Sequence, residues 1–272
     1  MAENNNCTHN CSTCSANCSS REPQHDAPHK DSHIKHVIGV ISGKGGVGKS
    51  TVTSLLAVAM HKLGYKTAIL DADITGPSIP QAFGLHSSAA GSDEGIFPVE
   101  TEEGIKVMSI NLLLDHETDP VVWRGPVVAG AVKQFWSDVQ WGDVDYMFVD
   151  LPPGTGDVPL TVFQSIPLAG VVIVTTPQDL VKMVVEKAVN MANMMNVPVL
   201  GLVENMSYLN CPDCGRRIEI FGQSKAAAIA EEYGIRAVSR MPLDARIAEY
   251  ADAAPPDIVP HPGHGCRLEI QY

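Results

Sequence analysis

Residues 36–51 read HVIGVISGKGGVGKST, and the fold follows from this stretch. Val37, Ile38, Val40 and Ile41 make a β-branched apolar run, suited to a strand covered on both faces. Beyond Thr51, Leu55, Leu56, Val58, Ala59 and Leu63 recur at helical spacing. Between the two, Gly43, Gly45, Gly46 and Gly48 permit a tight turn whose N–H groups converge on an anion at a helix N-terminus. In the pattern G-x-x-x-x-G-K-[ST], Lys49 brings a cation to the β- and γ-phosphates and the Ser50 hydroxyl is placed for Mg²⁺. Val47 and Thr51 complete the nucleotide-contacting positions. Strand, phosphate loop and helix predict an α/β fold, a doubly wound and mostly parallel sheet with helices on both faces. Lys44 is the unusual residue of the loop, and by residue type alone it reads as a solvated lysine.

Composition frames the rest. A chain of 272 residues fits one large α/β domain plus a tail. With 19 basic and 31 acidic residues the net charge is −12, which argues against a general nucleic-acid or anionic-membrane binder. No apolar run reaches about 18 residues and the N-terminus has no hydrophobic signal region, so the expectation is a soluble cytoplasmic protein. Residues 1–35 are polar almost throughout and cannot build a core, so they read as a flexible tail unless a metal orders them. Within them Cys7, Cys11, Cys14 and Cys18 are spaced C-x3-C-x2-C-x3-C, with His9 nearby and His25, His29, His33 and His36 beyond. Four thiolates so close can hold one iron-sulfur cluster or one zinc ion, whereas disulfides do not persist in a reducing compartment.

The domain, residues 36–260, continues with a strand over 67–70 that ends at Asp71-Ala72-Asp73. Carboxylates at the carboxyl end of such a strand face the ligand crevice of an open sheet. Asp73 can orient an attacking water or hold water of the Mg²⁺ shell; Asp71 can do the same, or cap the turn. Residues 86–104 read as a surface excursion, followed by a strand over 105–110 and a helix over 127–139, with Arg124 flanking the helix. A strand from Val144 ends at Asp150, the position of a carboxylate that supports Mg²⁺. The loop 151–157 then reads as a switch in which an N–H near Gly154 senses the γ-phosphate. A strand over 170–177, a helix over 179–195 and a strand over 197–203 lead to Asn205, either an adenine-reading amide or a turn amide.

Cys211-Pro212-Asp213-Cys214-Gly215 has the form of a metal knuckle, but two cysteines are half of a four-ligand site. The other half comes from elsewhere in the chain or from a second copy across a twofold axis, the simpler arithmetic because only Cys266 remains outside the tail. A redox C-x-x-C is the competing reading. Cys266 lies with His261 and His264 in a Pro/Gly-rich C-terminal tail, residues 261–272, either an ancillary metal site or a plain tail.

Taken together, KGGVGKS at 44–50, DADITGPS at 71–78, DLPPGTGD at 150–157, TPQD at 176–179, ENMSY at 204–208 and CPDCG at 211–215 resemble the Mrp/ApbC family of iron-sulfur cluster carrier P-loop ATPases. MinD and ParA share the deviant phosphate loop but not the cysteine pair. The resemblance implies a homodimer binding ATP and Mg²⁺, with a four-iron four-sulfur cluster bridged by Cys211 and Cys214 of both subunits. It further implies Lys44 acting on the partner's nucleotide, Lys49 and Ser50 on phosphate and Mg²⁺, Asp73 in hydrolysis, Asp150 supporting Mg²⁺ and Asn205 at adenine. Apo iron-sulfur proteins would receive the cluster. The tail cysteines resemble a second cluster site of the eukaryotic cytosolic branch, although their tighter spacing also suits zinc. A MinD-like nucleotide switch with structural zinc is the alternative; it requires a membrane helix or basic face, and the four prolines between 255 and 262 oppose such a helix.

Overall fold

The apolar runs of the sequence become neighbours in one sheet. The computed structural model describes residues 25–74, 76, 78–114, 125–177, 181–244 and 269–271. Strand β1 (Ser32–Ser42) lies centrally, parallel to β7 (Gly142–Asp150) on one side and β8 (Gly170–Thr175) on the other. Beyond β7 come β2 (Thr67–Asp71) and β6 (Lys106–Met108); beyond β8 come β9 (Val199–Asn210) and β11 (Ala237–Pro242), all parallel. Because β7 separates β1 from β2, the carboxyl end of β1 opens at the crossover where such sheets bind ligands.

Alternation along these strands splits the core. Ile69, Phe148, Val174 and Val203 meet α1 (Lys49–Lys62) and α2 (Ile79–Ala82) on one face. Leu70, Met147, Val149, Ile173 and Leu202 point to the other, where α3 (Gly125–Ser137), α4 (Asp157–Ser165), α5 (Val181–Met194) and α6 (Ala226–Glu232) pack. Along the inner stretches of these strands both faces have an apolar layer to enter, which is why those runs carry no polar alternation. Each large side chain so buried contributes about 2 kcal/mol.

The margins depart from the sequence reading. Residues 25–35, assigned by the sequence reading to the tail, pack onto the domain. The Asp26 carbonyl accepts the Trp136 indole N–H at 2.8 Å, and the Ser32 hydroxyl donates to Val139 O at 3.1 Å and accepts from Trp141 N–H at 2.9 Å. Buried indole and backbone groups need partners, and this polar segment supplies them. The excursion at 86–104 contains a hairpin of β3 (Gly91–Ser92) and β4 (Gly95–Ile96), and then β5 (Val99–Glu100), which pairs antiparallel with β6. At the other edge β12 (Glu269–Gln271), expected as tail, pairs antiparallel with β11. The strand expected to stop at 203 continues to 210, and the one expected over 105–110 is three residues long before a 3₁₀ turn at Ile110–Leu113. Among the described residues, no helix is long and apolar enough to cross a membrane.

Candidate functional site

The carboxyl end of β1 turns directly into the glycine loop, and α1 begins at Lys49. Gly46 and Gly48 have φ of 76° and 79°, a region that side-chain-bearing residues enter only under strain. Space matters as well as torsion. A Cβ at Gly48 would collide with Asn205 Nδ2, and one at Gly43 with the Val184 side chain of α5. The loop borders a cavity of about 320 Å³ lined in part by Lys44, Gly45, Lys49, Ser50, Asp73 and Pro153.

Beneath the loop lies a network of buried charge. Lys49 Nζ stands 2.8 Å from Asp150 Oδ2 and 3.5 Å from Asp73 Oδ2. Ser50 Oγ donates to Asp150 Oδ2 at 2.6 Å, and Thr53 Oγ1 to Asp150 Oδ1 at 2.7 Å. Asp150 thus ties the end of β7 to the first turn of α1. Next to it in the β2–β7 register lies Asp71, also buried. Its Oδ1 accepts the Asp73 N–H at 3.1 Å and its Oδ2 the Ser109 hydroxyl at 3.0 Å. The first of these is an Asx-type cap, the second of the two sequence readings for Asp71. Burial, reinforced by the Asp150 charge, pushes the Asp71 carboxyl well above the usual carboxylate range. Asp150 and Asp73 beside Lys49, with the Ser50 hydroxyl, offer hard oxygen donors of the kind that fits Mg²⁺ shared with phosphate.

Two expected contacts are directed inward. Asn205 Nδ2 donates to Val47 O at 2.9 Å while its Oδ1 accepts the Met206 N–H at 2.9 Å, so this amide braces the phosphate loop. The Gly154 N–H, expected to sense phosphate, donates to Ser42 O at 2.8 Å and pins the switch loop to the end of β1.

The cysteine pair sits at a hairpin tip. β9 ends at Asn210, paired antiparallel with Arg217 of β10 (Arg217–Ile218), and Cys211 and Cys214 lie in the connection. Cys211 N–H donates to Arg216 O and Gly215 N–H to Cys211 O, both at 2.9 Å. The N–H groups of Cys214 and Asp213 pull the Cys211 thiol below its ordinary value, the polarisation a metal knuckle provides for a thiolate. The two cysteines are not joined in a disulfide. Among the described residues no set of three or more Cys, His, Asp or Glu converges as a metal site, so they supply a pair and no further ligands. His29 instead hydrogen-bonds Glu94 O at 2.8 Å, and His36 stacks on Tyr146. Cys7, Cys11, Cys14, Cys18, Arg124, His261, His264 and Cys266 lie outside the described residues.

Sequence reading missed Thr53, Ser109 and Val184. Thr53 was accessible, since it lies one helical turn after Lys49; Ser109 and Val184 reach the site only through tertiary packing.

The comparisons agree with this geometry. Residues 33–269 match the family described as NUBPL iron-transfer P-loop NTPase (ParA). An iron-sulfur cluster carrier protein of Clostridium perfringens is 49% identical over 225 residues, covering 80% of this chain and 79% of that one. Another, from Methanococcus maripaludis, is 44% identical over 265 residues, with coverage of 94% and 91%. The nucleotide-binding protein of Archaeoglobus fulgidus, solved in complex with ADP, superposes with a TM-score of 0.74 at 50% identity, covering 81% of this chain and 87% of that one. MinD of Aquifex aeolicus, solved with MinC, shares the fold at a TM-score of 0.56 and 19% identity, covering 81% and 87%. A phosphate loop with its carboxylate network, a cysteine knuckle at the tip of β9 and relatives across most of the chain's length meet in one conclusion: the chain belongs to the iron-transfer P-loop NTPases, the Mrp/ApbC type of iron-sulfur cluster carrier.

Proposed function

We propose that this protein binds and hydrolyses ATP and carries an iron-sulfur cluster between two copies of the chain, delivering it to apo-proteins in the cytoplasm. The observation that carries the reading is the coexistence of a complete phosphate-loop network with a knuckle offering only Cys211 and Cys214. Two soft ligands per chain suit a cargo shared across a twofold axis, and a site half-held by each subunit can release it.

ATP would lie over the loop with its β-phosphate among the N–H groups of Gly45 to Ser50 and with Thr51 beside it. Lys49 would turn from Asp150 to the phosphates, and Asp150 with Ser50 would hold Mg²⁺, which offsets phosphate charge. Asp73, beside Lys49 in the cavity, orients the water that attacks the γ-phosphorus as ADP leaves. Lys44 of each copy neutralises charge on its partner's nucleotide, and Asn205 edges the adenine while bracing Val47. The cluster is cargo of the four-iron four-sulfur type, bound by deprotonated Cys211 and Cys214. The tail cysteines Cys7, Cys11, Cys14 and Cys18 hold a second cluster or zinc.

Anaerobic reconstitution with iron and sulfide tests the reading on the full chain, its Cys211→Ala/Cys214→Ala variant and a variant lacking the four tail thiols. Iron bound by the wild type and by the tail variant, but reduced in the pair variant, supports it. A wild type that takes up zinc and no iron overturns it.

A further inference from the structure

Strand β9 touches both working parts of the molecule. At Asn205 it holds the phosphate loop through Val47 O, and five residues later it ends at the cysteine hairpin. Between these points its ladder with β11 is broken. Arg240 pairs with Glu204, but the next pair is Pro242 with Tyr208, so Asn205, Met206 and Ser207 bulge out opposite Met241 alone. Met206 takes φ of 54° there, a left-handed conformation that a non-glycine residue adopts only when its surroundings impose it.

The bulge encloses one buried carboxylate. Glu204 has no exposed surface; its Oε2 accepts the Ser207 hydroxyl at 2.5 Å, and its Oε1 has no hydrogen-bond partner among the described residues. Arg240 meets this carboxylate from β11, with Nε donating to Ser207 Oγ at 2.7 Å and lying 3.5 Å from Glu204 Oε2. The other arm of the same guanidinium, Nη2, donates to Glu219 Oε1 at 2.9 Å, on the returning side of the cysteine hairpin. Arg240 and Arg217 also flank Tyr208, at 5.7 Å and 4.5 Å from its ring centroid. One planar fork thus spans the bulge and the hairpin, which a lysine ammonium on a single stem cannot do.

We propose, resting on the cluster-carrier reading, that Arg240 is a positioning residue that couples the phosphate loop to the cysteine pair. A nucleotide that moves Val47 moves Asn205 and the bulge; the bond from Arg240 Nε to Ser207, itself held by Glu204, keeps Arg240 with the bulge, and Arg240 carries Glu219 and the hairpin with it. Nucleotide state thereby sets the presentation of Cys211 and Cys214.

The test is pulsed alkylation of the reduced, metal-free full chain with N-ethylmaleimide, read at Cys211 and Cys214 by peptide mass spectrometry, with and without saturating Mg-ADP or a non-hydrolysable ATP analogue. Nucleotide is expected to change the wild-type rate about fivefold or more, the lower range of coupling between sites. In Arg240→Lys and in Glu219→Ala the response falls below about twofold while nucleotide affinity is retained. Glu219 is partly exposed, so its variant cuts the hairpin arm without disturbing the core. A merely structural Arg240 would lower thermal stability and leave the nucleotide response intact. Variants that keep the wild-type response, or a wild type that shows none, overturn the proposal. Iron uptake on the same preparations is a separate readout: its failure strikes the carrier reading, while the alkylation response still decides this one.

Discussion

Replacing Asp71 by Asn should stabilise the protein, and the gain should grow with pH. Asp71 is buried, and its two oxygens are used by the Asp73 N–H and the Ser109 hydroxyl. An Asn side chain keeps the first bond through its oxygen and lets the Ser109 oxygen accept from its amide, so any cost of turning the Ser109 proton elsewhere is the same at every pH. What changes is the charge. Burial and the neighbouring Asp150 raise the folded-state pKa well above the unfolded value of 3.8. Between those two values the folded protein binds one proton more than the unfolded chain, so stability falls as pH rises, by at most about 1.4 kcal/mol per pH unit. The variant lacks this penalty. Its advantage over wild type is therefore small near pH 4 and grows by about 1.4 kcal/mol per unit, about 3–6 °C in Tm for a domain of this size, until the folded pKa is passed. Urea denaturation of both proteins at several pH values from 5 to 8 reads the difference directly, with the other titrating groups common to both. A difference independent of pH, or a variant less stable throughout, would refute the electrostatic account of this site.

Other consequences follow from the same contacts. Gly48→Ala adds a Cβ against Asn205 Nδ2 at φ of 79°, and about 1–2 kcal/mol of strain in the loop that ADP must meet should lower its affinity by about fivefold to thirtyfold in calorimetry. Thr53→Val removes a 2.7 Å bond to the buried Asp150 carboxylate and should cost about 1.5–3 kcal/mol in chemical denaturation. The alkylation–pH curve of Cys211 should have its midpoint below that of a free cysteine, because backbone N–H groups favour its thiolate; a midpoint at or above that reference would show that the knuckle does not polarise it.

The parts of the fold legible in sequence are those where local chemistry and tertiary environment demand the same residues. β1, β2, β7 and β8 are apolar runs because both faces are covered, and the glycine loop is unique to one turn geometry. The carboxylates Asp73 and Asp150 were legible by position, Asp150 ending β7 and Asp73 following the end of β2 beside that loop. Polar residues buried by distant partners were not. Glu204, Asn205 and Ser207 look like a turn yet lie inside β9, where Val47 pairs with Asn205 and Arg240 with Ser207 from other elements. Residues 25–35 have the composition of a tail, but their hydroxyls and carbonyls complete two tryptophan-bearing segments some 110 positions away. β5 and β12 are short edge strands whose pairing depends on a neighbour that no local pattern reveals.

In the proposed function, Cys211 and Cys214 of two copies share one cluster. Sedimentation velocity of the reconstituted full chain, followed by the visible absorbance of the cluster, tests it most directly. The colour is expected to sediment with the dimer in wild type and in a variant without Cys7, Cys11, Cys14 and Cys18, and Cys211→Ala/Cys214→Ala to lose the dimer-borne colour. Colour that sediments with a monomer in the tail variant, or that stays on the dimer when the pair is removed, would contradict it.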